Sequence, residues 1–282
     1  MLDKKQHGGK IMKALLINLE SSKDRLQFQT QQLGKLGIPF DVLKAVSTND
    51  ISHDEYEKKS QGWERPLRQA EVACFLSHLK AWNEVVKKNK PMLVLEDDAL
   101  LSVKTAAILV SLFNIKKKPL DLVTLETRSR KKIVSKAFTE VISGINLREL
   151  YQDRTGAAGY VLWPSGAKKL IEESRKRSPA LADAFISSSY NLNAYQIEPA
   201  AIIQLDQCDN YSVTNNSFKP DSTISSEVKP QPIYKSKLSY IRFKGRRIYS
   251  QLRMAFRQLS VIAKSTRQYI YPNSNEFYSD TD

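Results

Sequence analysis

Apolar positions along the chain alternate between short continuous runs and spaced stripes, a pattern that predicts strands exchanged with helices. Lys13–Leu19 is almost continuously apolar, which marks a strand buried on both faces. Asp24–Leu36 places Leu26, Leu33 and Leu36 on one helical stripe, with Gly37 positioned to end it. Phe40–Val46 reads as a second strand, and strand–helix–strand implies a parallel pair with a right-handed crossover. Ser47–Arg65 is polar and turn-rich and is expected to be an active-site loop. Between Pro66 and Asn89, Val72, Phe75, Leu76, Leu79, Trp82, Val85 and Val86 recur at three and four, predicting a helix that stops before Pro91. Met92–Leu95 is a very short apolar run that ends in Glu96, Asp97 and Asp98.

Farther on, Thr105–Phe113 reads as a helix and Leu120–Leu125 as a strand, while Lys131–Ser143 fits neither period. Ala157–Trp163 predicts a strand, Ser165–Arg177 a helix behind Pro164, Ala180–Ser189 a short helix, and Ala200–Leu205 the last core strand. The expected fold is α/β, a mostly parallel sheet flanked by helices. Residues 1–12 are expected to be a disordered leader, 13–213 the catalytic domain, 214–235 a polar linker and 236–282 a basic amphipathic helical tail.

Composition sharpens the picture of the tail. The net charge is +14, but eleven of the 44 Lys and Arg fall between Val228 and Asn275, where there is no Asp or Glu. The remainder of the chain is nearly neutral, so the basicity is local. Within it, Leu238, Ile241, Ile248, Leu252, Ala255, Leu259 and Ile262 share one helical face, with Arg242, Arg246, Arg253 and Arg257 mostly off it. Such a helix suits an anionic membrane surface over residues 236–270; packing on the domain, a homodimer and nucleic acid are the rivals. No nucleic-acid motif accompanies the charge, so no nucleic-acid partner is expected. Cys74 and Cys208 cannot form a disulfide framework, residues 1–12 lack an apolar centre, and no run is long enough to span a bilayer. These features predict a cytoplasmic protein that meets a membrane only from its surface.

Three adjacent carboxylates after a buried strand repel one another unless a cation or donors compensate. Ligands of open α/β sheets bind at the carboxyl ends of strands, where these residues fall. Alternation sends Glu96 and Asp98 to one side and Asp97 to the other, so one pair could hold a hard ion such as Mn²⁺ or Mg²⁺ on a diphosphate. The competing reading of the tripeptide is an acidic cap on the next helix.

Four ordered stretches separate these readings. Leu16-Ile17-Asn18-Leu19 with Asp24-Arg25, Glu71 through Trp82 (EVACFLSHLKAW), Leu93 through Asp98 (LVLEDD) and Gly156 through Leu170 (GAAGYVLWPSGAKKL) resemble glycosyltransferase family 25, the lipopolysaccharide and lipooligosaccharide glycosyltransferases, across roughly residues 13–210. The resemblance implies a GT-A, Rossmann-like fold, a UDP-sugar donor, a divalent metal and inversion at the anomeric carbon. It implies Asp98 and Glu96 as metal ligands, and Asn18, Leu19, Arg25, Ser77, His78, Glu96, Asp97, Gly156, Gly159 and Tyr160 around the donor. Asp183 is the first candidate for the base that takes the acceptor's proton, with Glu126 and Asp153 behind it. Many GT-A enzymes add a late histidine to the metal, but the histidines here are His7, His53 and His78. Gln204, Asp206 or Asp209 could substitute for it, or water and diphosphate oxygens could fill the shell. The expected reaction moves a hexose, first of all galactose, to a lipid-linked oligosaccharide of lipooligosaccharide or lipopolysaccharide core, at the inner face of a membrane. The alternative is a non-catalytic α/β module that binds a membrane or nucleic acid through its basic tail.

Overall fold

The computed structural model describes residues 11–115, 118–213 and 236–277. Most of the expected leader (1–10) and the expected linker (214–235) lie outside the described residues. Met12, placed in the leader by its polar surroundings, is instead buried at 1% exposure in the core.

The chain opens with β1 (Ala14–Asn18), α1 (Lys23–Lys35) and β2 (Phe40–Lys44). The polar stretch expected to be a loop contains a short helix, α2 (His53–Ser60), before the long α3 (Gln69–Lys88). Next come β3 (Met92–Glu96), β4 (Ala99–Leu101), α4 (Thr105–Asn114) and β5 (Leu122–Thr124). A hairpin of β6 (Lys132–Ile142) and β7 (Ile145–Gln152) leads to β8 (Gly159–Leu162), α5 (Pro164–Lys176) and α6 (Ala182–Ser187). The chain continues through β9 (Ala194–Glu198) and β10 (Ile202–Gln204) to α7 (Lys237–Val261) and β11 (Ser265–Gln268).

Nine strands form one sheet in the order β11-β6-β7-β9-β5-β8-β3-β1-β2. Alternation along the strands explains its two covered faces. Ala14, Leu16, Leu93, Leu95 and Val161 point toward α1 and α4, where they meet Leu33, Ile108, Leu109 and Leu112. Leu15, Ile17, Met92, Val94, Tyr160 and Leu162 point toward α3, α5 and α6 and meet Phe75, Trp82, Val85, Leu170 and Phe185.

The sheet is mixed rather than mostly parallel, which corrects the expectation. β1 pairs in parallel with β2 and β3, and β5 with β9. The other neighbours are antiparallel: β8 with β3 and β5, β7 with β9 and β6, and β6 with β11. Connection length is the physical reason. A parallel pair needs a crossover of a dozen or more residues, whereas Ser143 and Gly144 alone join β6 to β7, with Gly144 at φ 75°. β6 fits neither period because its first four residues are buried and the next five exposed.

Two other expectations change. Ala200–Leu205 supplies β10, which leaves the main sheet to pair with β4 in a separate two-stranded sheet. The C-terminal segment is not a simple helical appendage. After α7 the chain adds β11 to the edge of the main sheet, buries Ile270 against Val134 and Ala200, and sets Phe277 opposite Ser102.

Candidate active site

β1 and β3 run in parallel with Ile17 opposite Glu96, so Asn18 and the acidic turn leave the sheet side by side. Asp97 points toward α1, where its carboxylate accepts hydrogen bonds from Asn18 Nδ2 at 2.9 Å and Arg25 Nη1 at 2.8 Å. Gln29, fully buried on α1, donates to the carbonyls of Asp97 and Ala99 and clamps the turn. Glu96 and Asp98 face the other way. Gln204 Nε2 lies 3.5 Å from Glu96 Oε2 and 3.3 Å from Asp98 Oδ2, so the two carboxylates converge on one point. Gln204 arrives there because β10 pairs with β4 with Gln204 opposite Ala99. Arg128 holds the oxygen of the Gln204 amide, which turns its nitrogen to the acids.

Little positive charge offsets this pair. Asp98 is pushed up to about 7, first by burial and then by the charges of Glu96 and Asp97, with only partial relief from Arg25 and Gln204. Burial also raises Asp97, even against Arg25 and Asn18. Two half-buried, converging carboxylates with two long contacts to one amide are a donor set that a hard divalent ion would satisfy.

Glu96 is oriented from the opposite side. Trp82 Nε1 donates to the Tyr160 hydroxyl, which lies 2.9 Å from His78 Nδ1, and His78 Nε2 lies 2.9 Å from Glu96 Oε1. A carboxylate only accepts, so Nε2 carries the proton and Nδ1 accepts from the tyrosine. Burial raises the Tyr160 hydroxyl well beyond its ordinary range, which keeps it a donor. The indole, phenol, imidazole and carboxylate thus form a directed relay across the core.

Cys74, His78 and Glu96 also bring a sulfur, a nitrogen and an oxygen within 4.8 Å of one another, a set able to hold a divalent ion. Burial pushes the Cys74 thiol far up, and carboxylates nearby push it further. A thiol must lose its proton to ligate, and both His78 nitrogens are already engaged, so the all-oxygen pair suits Mn²⁺ or Mg²⁺ better.

The third wall comes from the turn into β8. Gly156 sits at φ 101°, and a Cβ there would come within 3.0 Å of the Glu126 carboxyl. Only glycine fits both demands. At Gly159 a Cβ would lie 2.5 Å from Ile202. Glu126 is fully buried, accepts from Ala158 N at 2.7 Å through Oε2, and leaves Oε1 without a partner. Burial and then the charge of Glu96 push it up to about 8. Asp183, at the start of α6, accepts from Ala184 N at 2.6 Å and from the backbone of Gly156; burial raises it too.

Several other sequence candidates have partners within the fold. Asp153 is tied to Lys132 Nζ at 2.7 Å, and that ammonium also holds the Glu126 carbonyl. The Ser77 hydroxyl accepts from Val46 N and donates to the Ala73 carbonyl. Leu19 packs on the apolar cluster beneath α3. Asp206 pairs with Arg128 at 2.6 Å, and Asp209 is exposed on the turn Asp209–Tyr211. Sequence reasoning missed Gln29, Arg128 and Lys132. A glutamine on a polar helix and cations in stretches without a clear period read as surface residues, so nothing in the linear pattern distinguishes them.

Comparison with known proteins shows the family. A family model described as glycosyltransferase family 25 (LPS biosynthesis protein) matches residues 11–186. A Haemophilus influenzae protein named as a glycosyltransferase is 28% identical over 162 residues, 56% of this chain and 56% of that one. Human procollagen galactosyltransferase 2 is 28% identical over 188 residues, 62% of this chain but only 30% of that one. The lipooligosaccharide biosynthesis protein lic2B of Haemophilus influenzae is 25% identical over 201 residues, 68% of this chain and 76% of that one.

Proposed function

The chain belongs to glycosyltransferase family 25, and on that premise we propose that it is an inverting hexosyltransferase of GT-A type. In this reading it moves galactose from UDP-galactose to a saccharide of lipooligosaccharide or lipopolysaccharide core. The names of its relatives, a procollagen galactosyltransferase and a lipooligosaccharide biosynthesis protein, support the sugar and the acceptor class. The observation that carries the reading is the convergence of Glu96 and Asp98 at the carboxyl end of β3, with Asp97 locked away by Asn18 and Arg25.

Mn²⁺ or Mg²⁺ held by Glu96 and Asp98 would supply charge stabilisation to the diphosphate as it leaves. His78 keeps Glu96 aimed at that point, and Arg25 keeps the turn rigid. In the reaction the acceptor hydroxyl oxygen bonds to the anomeric carbon from one face while the bond to UDP breaks on the other. The hydroxyl proton passes to a carboxylate, which we assign to Asp183. Glu126, pushed up to about 8, holds its proton at neutral pH, and Asp153 is held in place by its ion pair with Lys132. Calorimetry tests the donor site: UDP is expected to bind in the presence of Mn²⁺, and Asp98→Ala to abolish that dependence. Binding indifferent to Asp98→Ala would refute the metal assignment, and mass spectrometry across a panel of UDP-sugars would identify the sugar.

The same reading includes docking at the inner face of a membrane through α7. No helix among the described residues is long and apolar enough to cross a bilayer. The apolar stripe of α7 points outward: Ile241, Leu252, Phe256 and Leu259, with Ile262 just past its end, are 62–76% exposed. Lys237, Arg242 and Lys244 are exposed on the same helix, which gives an apolar face with cationic margins and favours an anionic lipid surface. Leu252→Glu with Leu259→Glu is expected to reduce binding to vesicles containing phosphatidylglycerol at least tenfold while UDP binding persists. Unchanged vesicle binding, or loss of a dimer in light scattering instead, would overturn the membrane assignment.

A further inference from the structure

Between α7 and the catalytic domain lies a cavity of about 650 Å³, within the range of small-molecule sites. Its walls bring together arginines from distant parts of the chain: Arg130 and Arg154 from loops, Arg177 after α5, and Arg246, Arg247 and Arg253 from α7. The carboxylates in its lining are Glu64 and Asp153, and Asp153 is taken by Lys132 at 2.7 Å. The cations therefore far outnumber the free acids around this space.

What holds these guanidinium groups is as informative as their number. Arg253 stacks over the rings of Tyr190 and Tyr249, and Arg177 over Phe185 at 4.6 Å. Arg246 donates to the carbonyls of Gln61 and Trp63, and Arg253 to that of Ser188. Rings and carbonyls orient a cation without cancelling its charge; Arg177 differs in also pairing with Glu173 at 3.0 Å. Burial lowers Arg177 first of all; Glu173 opposes the fall and the like charge of Arg253 adds to it. Arg154 and Arg247 are exposed, and no ion pair or side-chain hydrogen bond of either is seen among the described residues. Planar guanidinium forks are suited to phosphate and carboxylate oxygens.

The cavity also adjoins the candidate active site. Arg154 and Ala184 line it, and Gly156 and Asp183, close to them in the chain, belong to the wall of the candidate site. We propose that this arginine-lined cavity is the acceptor subsite and that it takes a saccharide carrying a phosphate or carboxylate group. The word acceptor rests on the transferase reading; the anion site does not. In this arrangement the anionic group anchors the sugar under α7, and a free hydroxyl of the same saccharide reaches toward Asp183.

Titration followed by NMR or calorimetry, with UDP binding measured in parallel, tests this. Glucose 6-phosphate and glucuronate are the anionic probes, glucose the neutral control and glycerol 3-phosphate the control for a lipid headgroup. Glucose 6-phosphate and glucuronate are expected to bind and glucose is not. Arg154→Ala with Arg247→Ala, both at exposed positions, is expected to weaken the anionic sugars at least about tenfold and leave UDP binding unchanged. Equal binding of glucose and glucose 6-phosphate, or indifference to the double substitution, would overturn the anion site. Glycerol 3-phosphate binding as tightly as glucose 6-phosphate would overturn the saccharide assignment. Loss of UDP binding in the unaltered protein would instead sink the transferase reading, so the two failures are distinguishable.

Discussion

Glu126 offers the most quantitative test of the site's electrostatics. Its carboxyl is fully buried, has one hydrogen bond from Ala158 N and one bare oxygen, and titrates at about 8 against an ordinary 4.5. Because this acid is raised in the folded state, the folded protein holds its proton over a range where the unfolded chain has lost it. Stability from this group is therefore full below pH 4.5, falls as pH rises between 4.5 and 8, and stays low above 8. At about 1.4 kcal/mol per pH unit, the loss is under 1 kcal/mol at pH 5, about 3 at pH 7 and about 5 at pH 9. Glu126→Gln keeps the shape and the acceptor for Ala158 N but cannot ionise. Urea denaturation with a chelator present should find the variant close to the parent at pH 5 and more stable by several kcal/mol at pH 9. A stability difference that is the same at both pH values, or a variant weaker at pH 9, would refute the reasoning.

Two further outcomes follow from the same geometry. Tyr160→Phe removes the hydroxyl between Trp82 and His78; it leaves a buried indole N–H unpaired and should cost about 1–3 kcal/mol in a thermal melt. It should also weaken UDP binding that depends on Mn²⁺, and an unchanged metal dependence would show that the relay does not aim Glu96. Gly156→Ala forces a side chain onto φ 101° and against the Glu126 carboxyl, a strain of about 1–3 kcal/mol; an unchanged melting temperature would mean that the turn relaxes freely.

The central elements were legible because burial acts on them locally. The runs at β1, β3 and β8 and the stripes of α1, α3 and α5 each carry their own period, and the acidic turn follows directly from β3. Strand direction was not legible, since the hairpin of β6 and β7 is half exposed and reads as neither period. The site was legible in its carboxylates and glycines, whose chemistry is unusual wherever they sit. Its supports were not. Gln29, Arg128 and Lys132 matter only because long-range pairing brings them to Asp97, Gln204 and Glu126. The amphipathic stripe of α7 was visible as a pattern, but nothing in it said which face would turn outward. The opposite face settles that, since Phe243 and Val261 are buried there and Arg253 and Arg257 bond to the carbonyls of Ser188 and Tyr151.

β11 has a bearing on solubility. A chain cut after Val213 would keep every residue of the matched span 11–186. It would also lose the partner of β6 over Lys132–Ser135, along with Val261 from the cluster of Ile133 and Tyr151 and Ile270 from that of Val134. An unpaired strand edge flanked by newly bared apolar side chains is a template for aggregation. The shortened protein should therefore fail by precipitating, even though its carboxylates and glycines would all still be encoded.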